Sequence, residues 1–209
     1  PPSSTRQKLQ PFLPLSCSCF SGAAFTQADL TTCAAHVKYG MSVITALTAQ
    51  NTLGVREIAN ISPNFVRAQL KAIFEDIQPM AIKIGMVSSP DIIRAIAEEL
   101  AWIKRKCSDT ADGEESNTDG AVSGDSANIP IVLDPVMVST SGSKLIEDEA
   151  IAALISDLMP LVTLITRNIH EAELLSKIKI ESRDDMIRAA KTISAFYDGA
   201  ILIKGGHLE

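Results

Sequence analysis

Two rhythms of apolar residues alternate along this chain. Short runs rich in β-branched and aliphatic residues occupy 41–48, 81–87, 129–133, 162–166 and 200–204, and read as buried strands. Between them the apolar positions recur at helical spacing. A helix is expected over 27–37. Ser62-Pro63 supplies a cap and a first-turn proline ahead of Val66, Leu70, Ile73, Phe74 and Ile77. Ser89-Pro90-Asp91 opens a second such stripe through Ile92, Ile93, Ile96, Leu100 and Ile103. Further helices are expected over 147–158, stopped by Pro160, from Asn168 to Leu175, and over 182–196, with Asp185 three residues after Ser182 in a loose capping box. Strand and helix alternate about five times with helix-length crossovers, and no hairpin signal interrupts them. This pattern predicts an α/β fold with a mainly parallel sheet.

Composition and charge change that picture in one place. With 46% hydrophobic residues the 209-residue chain can bury a core, enough for one large domain and marginal for two. The formal net charge of −6 is concentrated in 107–128, which holds six acids and no Lys or Arg. The remaining 19 acids match the 19 Lys and Arg, so the folded part offers no electrostatic footprint for nucleic acid. That acidic stretch, rich in Ser, Gly and Asp, is expected to be a flexible surface insertion. No apolar run reaches membrane-span length. Four cysteines form no CxxC spacing and read as free thiols of a reducing cytosol.

Residues 1–15 are polar and proline-punctuated and read as a non-homologous or disordered segment ahead of a domain at 16–209. Both ends read as cut, with Pro1 in first place and Glu209 just after a strand-like run.

Candidate chemistry lies just past the strands, because ligands of open parallel sheets bind outside the strands' carboxyl ends. Those ends are Thr48 to Asn51, Gly85-Met86 after Lys83, Asp134, Thr166-Arg167-Asn168, and Lys204-Gly205-Gly206-His207. All are polar, and the paired glycines let backbone N–H groups approach an anion. Lysines beside Asp134 and Glu171 suit phosphate and Mg²⁺, which takes one or two carboxylates together with phosphate oxygens and water. Asn168 and Glu171, three apart at a helix start, share a face. Taken alone, Asp134 fits a solvated loop acid equally well, and Glu171 fits an ordinary first-turn helix acid. No GxxxxGK[ST] or GxGxxG is present.

The blocks SGAAFTQADLTTCAAHVKYGMSVITALTAQN, KIGMV, VLDPVMVSTSGSKL, TRNIHEAELL and ILIKGGHLE together resemble the hydroxymethylpyrimidine/phosphomethylpyrimidine kinases of thiamine biosynthesis, within the ribokinase-like superfamily. The resemblance implies a three-layer αβα architecture with helices on both faces, here incomplete. It implies phosphorylation by ATP of 4-amino-5-hydroxymethyl-2-methylpyrimidine and then of its monophosphate, in the cytosol, by a protein that is a homodimer when complete. Asp29 and Gln50 would bind the pyrimidine, with Met86 as an apolar wall. Asn168, Lys204 and Gly206 would bind ATP, and Asp134 and Glu171 would hold Mg²⁺. The general base and the anion hole are expected beyond Glu209, so no catalytic residue is assigned.

Departures stand beside the likeness. The family's glycine-rich first turn is replaced here by Cys17-Ser18-Cys19-Phe20-Ser21-Gly22-Ala23-Ala24-Phe25, the strand that should precede it is not recognisable in PFLPL, and Arg167 takes the place of a proline. Two other readings therefore remain: a non-catalytic remnant that binds the pyrimidine or an intact subunit, and a related kinase for pyridoxine-type alcohols.

Overall fold

The computed structural model describes residues 10–19, 25–51, 54–109, 129–137 and 146–206. In chain order it forms β1 (Pro11–Cys19), α1 (Phe25–Ala35), β2 (Tyr39–Gly40), β3 (Val43–Asn51), β4 (Gly54–Asn60), α2 (Pro63–Asp76), β5 (Ala81–Ile84), α3 (Pro90–Asp109), β6 (Ile131–Leu133), α4 (Asp148–Ala153), β7 (Leu164–Arg167), α5 (Ile169–Ser176), α6 (Arg183–Ile193) and β8 (Ala200–Ile203). The strands make one sheet in the order β4-β3-β1-β5-β6-β7-β8, with β2 also on β1. Every pairing is parallel except β3 with β4. The chain moves to one side of β1 for β3 and to the other for β5, so β1 lies at the switch point where such sheets open a crevice.

Helices cover both faces, as the family resemblance implies. On one face α2, α3 and α4 pack Val66, Leu70, Ile92, Ile93, Ile96, Leu100, Ala150 and Ala153 against Leu13, Leu15, Ile82, Ile84, Leu133 and Ile165. Each fully buried Ile or Leu contributes roughly 1.5–3 kcal/mol over exposure. Helix α1 gives nothing to that core and packs on β1 and β2 from the other face. Gly40 permits the approach: a Cβ there would lie 2.7 Å from Leu30 Cδ2. None of the described helices is long and apolar enough to cross a membrane.

Three expectations are corrected. First, residues 11–15 are not a disordered segment: they are the first half of β1, an interior strand of the sheet, and lie mostly in the core. Residues 1–9 fall outside the described set. The prolines hid this strand. In a β-strand the N–H and C=O of one residue point to the same neighbour, and Gln10 O and Phe12 O accept from Tyr39 N and Met41 N, on the β2/β3 side. Pro14 therefore turns its missing N–H to the break between β2 and β3, where no ladder bond is lost.

Second, a hairpin is present. β3 runs on to Asn51 and turns back through β4, with Ala46 opposite Asn60 and Asn51 opposite Gly54. Every described side chain of 55–60 is exposed, so this strand carries no buried alternation for a sequence pattern to reveal. Third, positions 107–109 of the acidic stretch belong to the last turn of α3, while 110–128 lie outside the described residues. The helix expected over 147–158 continues from α4 as one π turn and a 3₁₀ turn that contains Pro160.

Candidate active site

The sheet itself delivers the strand-end residues to one edge. Gly85, Asp134 and Lys204, each just past its own strand, donate their backbone N–H to Leu15 O, Ile84 O and Arg167 O at 2.7–2.8 Å. These bonds extend the parallel ladders by one rung, so the residues share a level at the carboxyl edge.

Around β1 that edge is a web of small polar groups. Met86 N–H and Thr45 Oγ1 hold the turn after β5, donating to Ser16 Oγ at 3.2 Å and to Met86 O at 3.1 Å respectively. Thr26, in the first turn of α1, donates to Cys17 O, and Gln27 Nε2 donates to Ser18 Oγ at 2.6 Å. Gly85 packs so tightly here that a Cβ would stand 2.6 Å from Ser16 Oγ. Met86 is buried in a small apolar cluster with Cys17 and Ala46, with Val136 against it. Gln50 lies within β3 rather than past its end, half-buried, with Thr48 Oγ1 3.4 Å from its Oε1. Asp29 is one turn into α1, and Lys83 Nζ meets its Oδ1 at 2.5 Å. Asp29 Oδ2 is buried with no hydrogen-bond partner among the described residues. An acceptor in that state is open to a donor from a ligand. The thiol of the neighbouring Cys33 is pushed up by burial and then by the Asp29 charge, which makes it inert.

The other half of the edge is charged. Lys204 Nζ reaches over the end of β7 to Asp134 Oδ1 at 3.1 Å, with side chains 49% and 29% exposed. Asn168 caps α5: its Oδ1 accepts from Glu171 N–H at 2.9 Å, and Glu171 Oε2 accepts from Asn168 N–H at 3.1 Å. Glu171 Oε1 takes Met137 N–H at 3.3 Å, tying the turn after β6 to this helix. Glu171 is buried, and burial raises its carboxyl pKa despite the hydrogen bonds and Arg167, which pull it down. Gly206 sits in an exposed turn with no described residue within 4 Å of a Cβ placed there, and His207 lies outside the described residues. Among the described residues no group of three or more His, Cys, Asp or Glu could hold a metal by itself. Asp134 keeps one oxygen clear of Lys204, which fits a divalent ion carried in on phosphate oxygens and water better than an all-protein cage.

The family model for phosphomethylpyrimidine kinase matches residues 20–108 and 120–209. The chain belongs to this family. The break in the match falls inside the acidic stretch. A hydroxymethylpyrimidine/phosphomethylpyrimidine kinase of Rhizobium meliloti is 40% identical over 189 residues, covering 90% of this chain and 62% of that protein. The phosphomethylpyrimidine kinase of Clostridium difficile superposes with a TM-score of 0.78 at 43% identity, over 96% of this chain and 77% of its own. An ADP complex of Bacillus subtilis pyridoxal kinase superposes with a TM-score of 0.75 at 31% identity, over 96% and 68%. The chain thus spans a little under two thirds of the length of the Rhizobium relative.

The ribokinase-like α/β architecture expected from the blocks is the one observed. Sequence reasoning missed the roles of Ser16 and Thr45, which build the turn around Gly85. Ser16 borders the proline-punctuated segment that reads as non-homologous or disordered. The alternation of Ser16 and Ser18 with Cys17 and Cys19 was the available signal, a two-residue period entering the sheet edge.

Proposed function

We propose that this chain carries the substrate and phosphate sites of an ATP-dependent kinase for 4-amino-5-hydroxymethyl-2-methylpyrimidine and its monophosphate, a step of thiamine diphosphate biosynthesis. Membership of the family supports the reaction class. One observation in this chain carries the substrate: the buried, unpartnered Oδ2 of Asp29, a charged acceptor suited to an exocyclic amino group. Gln50 adds an amide at the neighbouring strand, and Met86 supplies an apolar surface for a ring. Lys204 faces the nucleotide phosphates, with Asn168 and Gly206 at the same edge, and the ADP complex of the related pyridoxal kinase is in keeping with ATP as donor. Asp134, with Glu171 behind it, would hold Mg²⁺, which when bound neutralises charge that builds on the transferring phosphoryl group. Lys204 orients that phosphate and adds positive charge. Its pair with Asp134 keeps it in place until the nucleotide arrives.

The β3–β4 hairpin, with Leu47, Val55 and Ile58 exposed, supports a homodimer. The free thiol of Cys33 fits a reducing cytosol. ADP release on adding the pyrimidine alcohol and Mg-ATP tests the kinase reading. Turnover above a no-substrate blank is expected. Pyridoxal turned over faster than the aminopyrimidine would move the substrate to the vitamin B6 class, and pyrimidine binding without ADP release would leave a binding protein.

A further inference from the structure

One group at the strand-end edge is used by nothing described so far. Arg167 closes β7 on the face that buries Ile165, and it is 0% exposed. Its Nε, Nη1 and Nη2 have no hydrogen-bond partner among the described residues. Burial lowers its pKa to about 10, with Glu171 and Asp134 pulling the other way, so it stays charged at neutral pH. A buried, charged guanidinium with five idle donors is costly, and folds keep one only where something answers it.

The two acids that could answer it bond elsewhere. Glu171 gives one oxygen to Met137 N–H and the other to Asn168 N–H. Asp134 gives an oxygen to Lys204, on the strand next to β7. Both acids lie close enough to act on Arg167 electrostatically, and neither bonds to it. Arg167 acts on Asp134 electrostatically and Lys204 Nζ meets Asp134 Oδ1 at 3.1 Å, so the two cations converge on one carboxylate. With Arg167 and Lys204 against Asp134 and Glu171, the edge is charge-balanced without any metal. A planar fork at the edge of a parallel sheet matches a tetrahedral oxyanion bidentately, and a lysine on the same carboxylate adds a second positive charge.

We propose that Arg167 is an anion receptor of this site, binding a phosphate-type oxyanion together with Lys204 and doing so without a divalent cation. The half-exposed Lys204 and the partly exposed Asp134 mark the side from which the anion reaches it. The kinase reading enters only in naming the sources: the nucleotide phosphates or the phosphate of the pyrimidine monophosphate.

The test uses the 209-residue chain in chloride buffer with EDTA. Inorganic phosphate, ADP and the pyrimidine monophosphate are titrated by calorimetry into the parent, R167M and R167K. Binding by the parent without metal is expected, with R167M at least tenfold weaker and R167K between them, because lysine keeps the charge and loses the fork. A loss confined to ADP assigns the nucleotide, and one confined to the monophosphate assigns the substrate. In the parent, the ¹⁵N-labelled Arg167 Nε–Hε resonance should shift on adding phosphate, a readout that survives if R167M does not fold. Phosphate affinity in R167M within twofold of the parent, or an unmoved Arg167 resonance at saturating phosphate, overturns the proposal. Binding of the unphosphorylated pyrimidine, measured alongside, reports on the kinase reading separately.

Discussion

Asp29 meets Lys83 with one carboxylate oxygen at 2.5 Å and keeps the other buried and unpaired. The pair ties α1 to β5 across β1, and the idle oxygen is an acceptor waiting for a donor. Asp29→Ala should therefore weaken binding of the aminopyrimidine by roughly 10- to 100-fold, the worth of about 1.5–3 kcal/mol for a hydrogen bond to a charged group. Calorimetry checks the affinity, and a urea midpoint separates it from loss of the Lys83 pair. Unchanged affinity in a folded variant would take Asp29 out of the site.

Gly85 has no room for a side chain. A Cβ would stand 2.6 Å from Ser16 Oγ and 3.1 Å from Ser16 Cβ, both held between neighbouring strands. Gly85→Ala should cost about 1–3 kcal/mol in urea unfolding, the range for overpacking a tight site. Ser16→Ala alone should also destabilise, since it strands the buried Met86 N–H. In the Ser16→Ala background the Gly85→Ala penalty should shrink, because the closest clashing atom is gone. Additive losses in the double variant would place the strain elsewhere.

How much of this was legible follows from what each residue answers to. Asp134 and Lys204 could be read as strand-end groups because their strands are apolar runs that stop abruptly, and the structure pairs them at 3.1 Å. The capping box of Asn168 and Glu171 was readable as a pair three apart at a helix start. Interior strand β1 was not, because Pro14 looks like a breaker until the β2/β3 gap beside it is known. The hairpin was hidden because β4 buries nothing and so has no period. Arg167 could be noticed as a departure, but its meaning depends on where the oxygens of Asp134 and Glu171 point, which is a fact of three dimensions.

Glu171 should make stability depend on pH in the less usual direction for an acid. Burial lifts its folded pKa above the ordinary 4.5, so the folded state holds the proton more tightly than the unfolded chain. Its contribution is fully present below 4.5 and is lost as pH rises through the raised folded value. Glu171→Gln lacks that titration. In metal-free buffer, the stability advantage of the parent over the variant should shrink as pH climbs through this window, read from urea midpoints at each pH. An advantage that grows with pH would mean that the hydrogen bonds from Asn168 and Met137 outweigh burial.

The hairpin gives the last prediction. Leu47 pairs with Ala59 and Thr48 with Ile58, so Leu47 and Ile58 lie on opposite faces of the two-stranded arm, and both are exposed. β4 is also a sheet edge, with one row of backbone groups lacking a strand partner among the described residues. An exposed apolar arm with an open edge invites pairing with another chain, and nothing on β4 other than Arg56 and Glu57 discourages it. If the homodimer forms through this arm, Leu47→Glu should convert it to monomer in sedimentation velocity with little change in the urea midpoint. Leu47 is on the face away from Thr48, so the polar web around Ser18 is left in place. Ile58→Glu, opposite Thr48, should also dissociate the dimer. A parent chain that sediments as a monomer at the same concentration, or a Leu47→Glu variant that remains dimeric, would show that two copies do not meet through this arm.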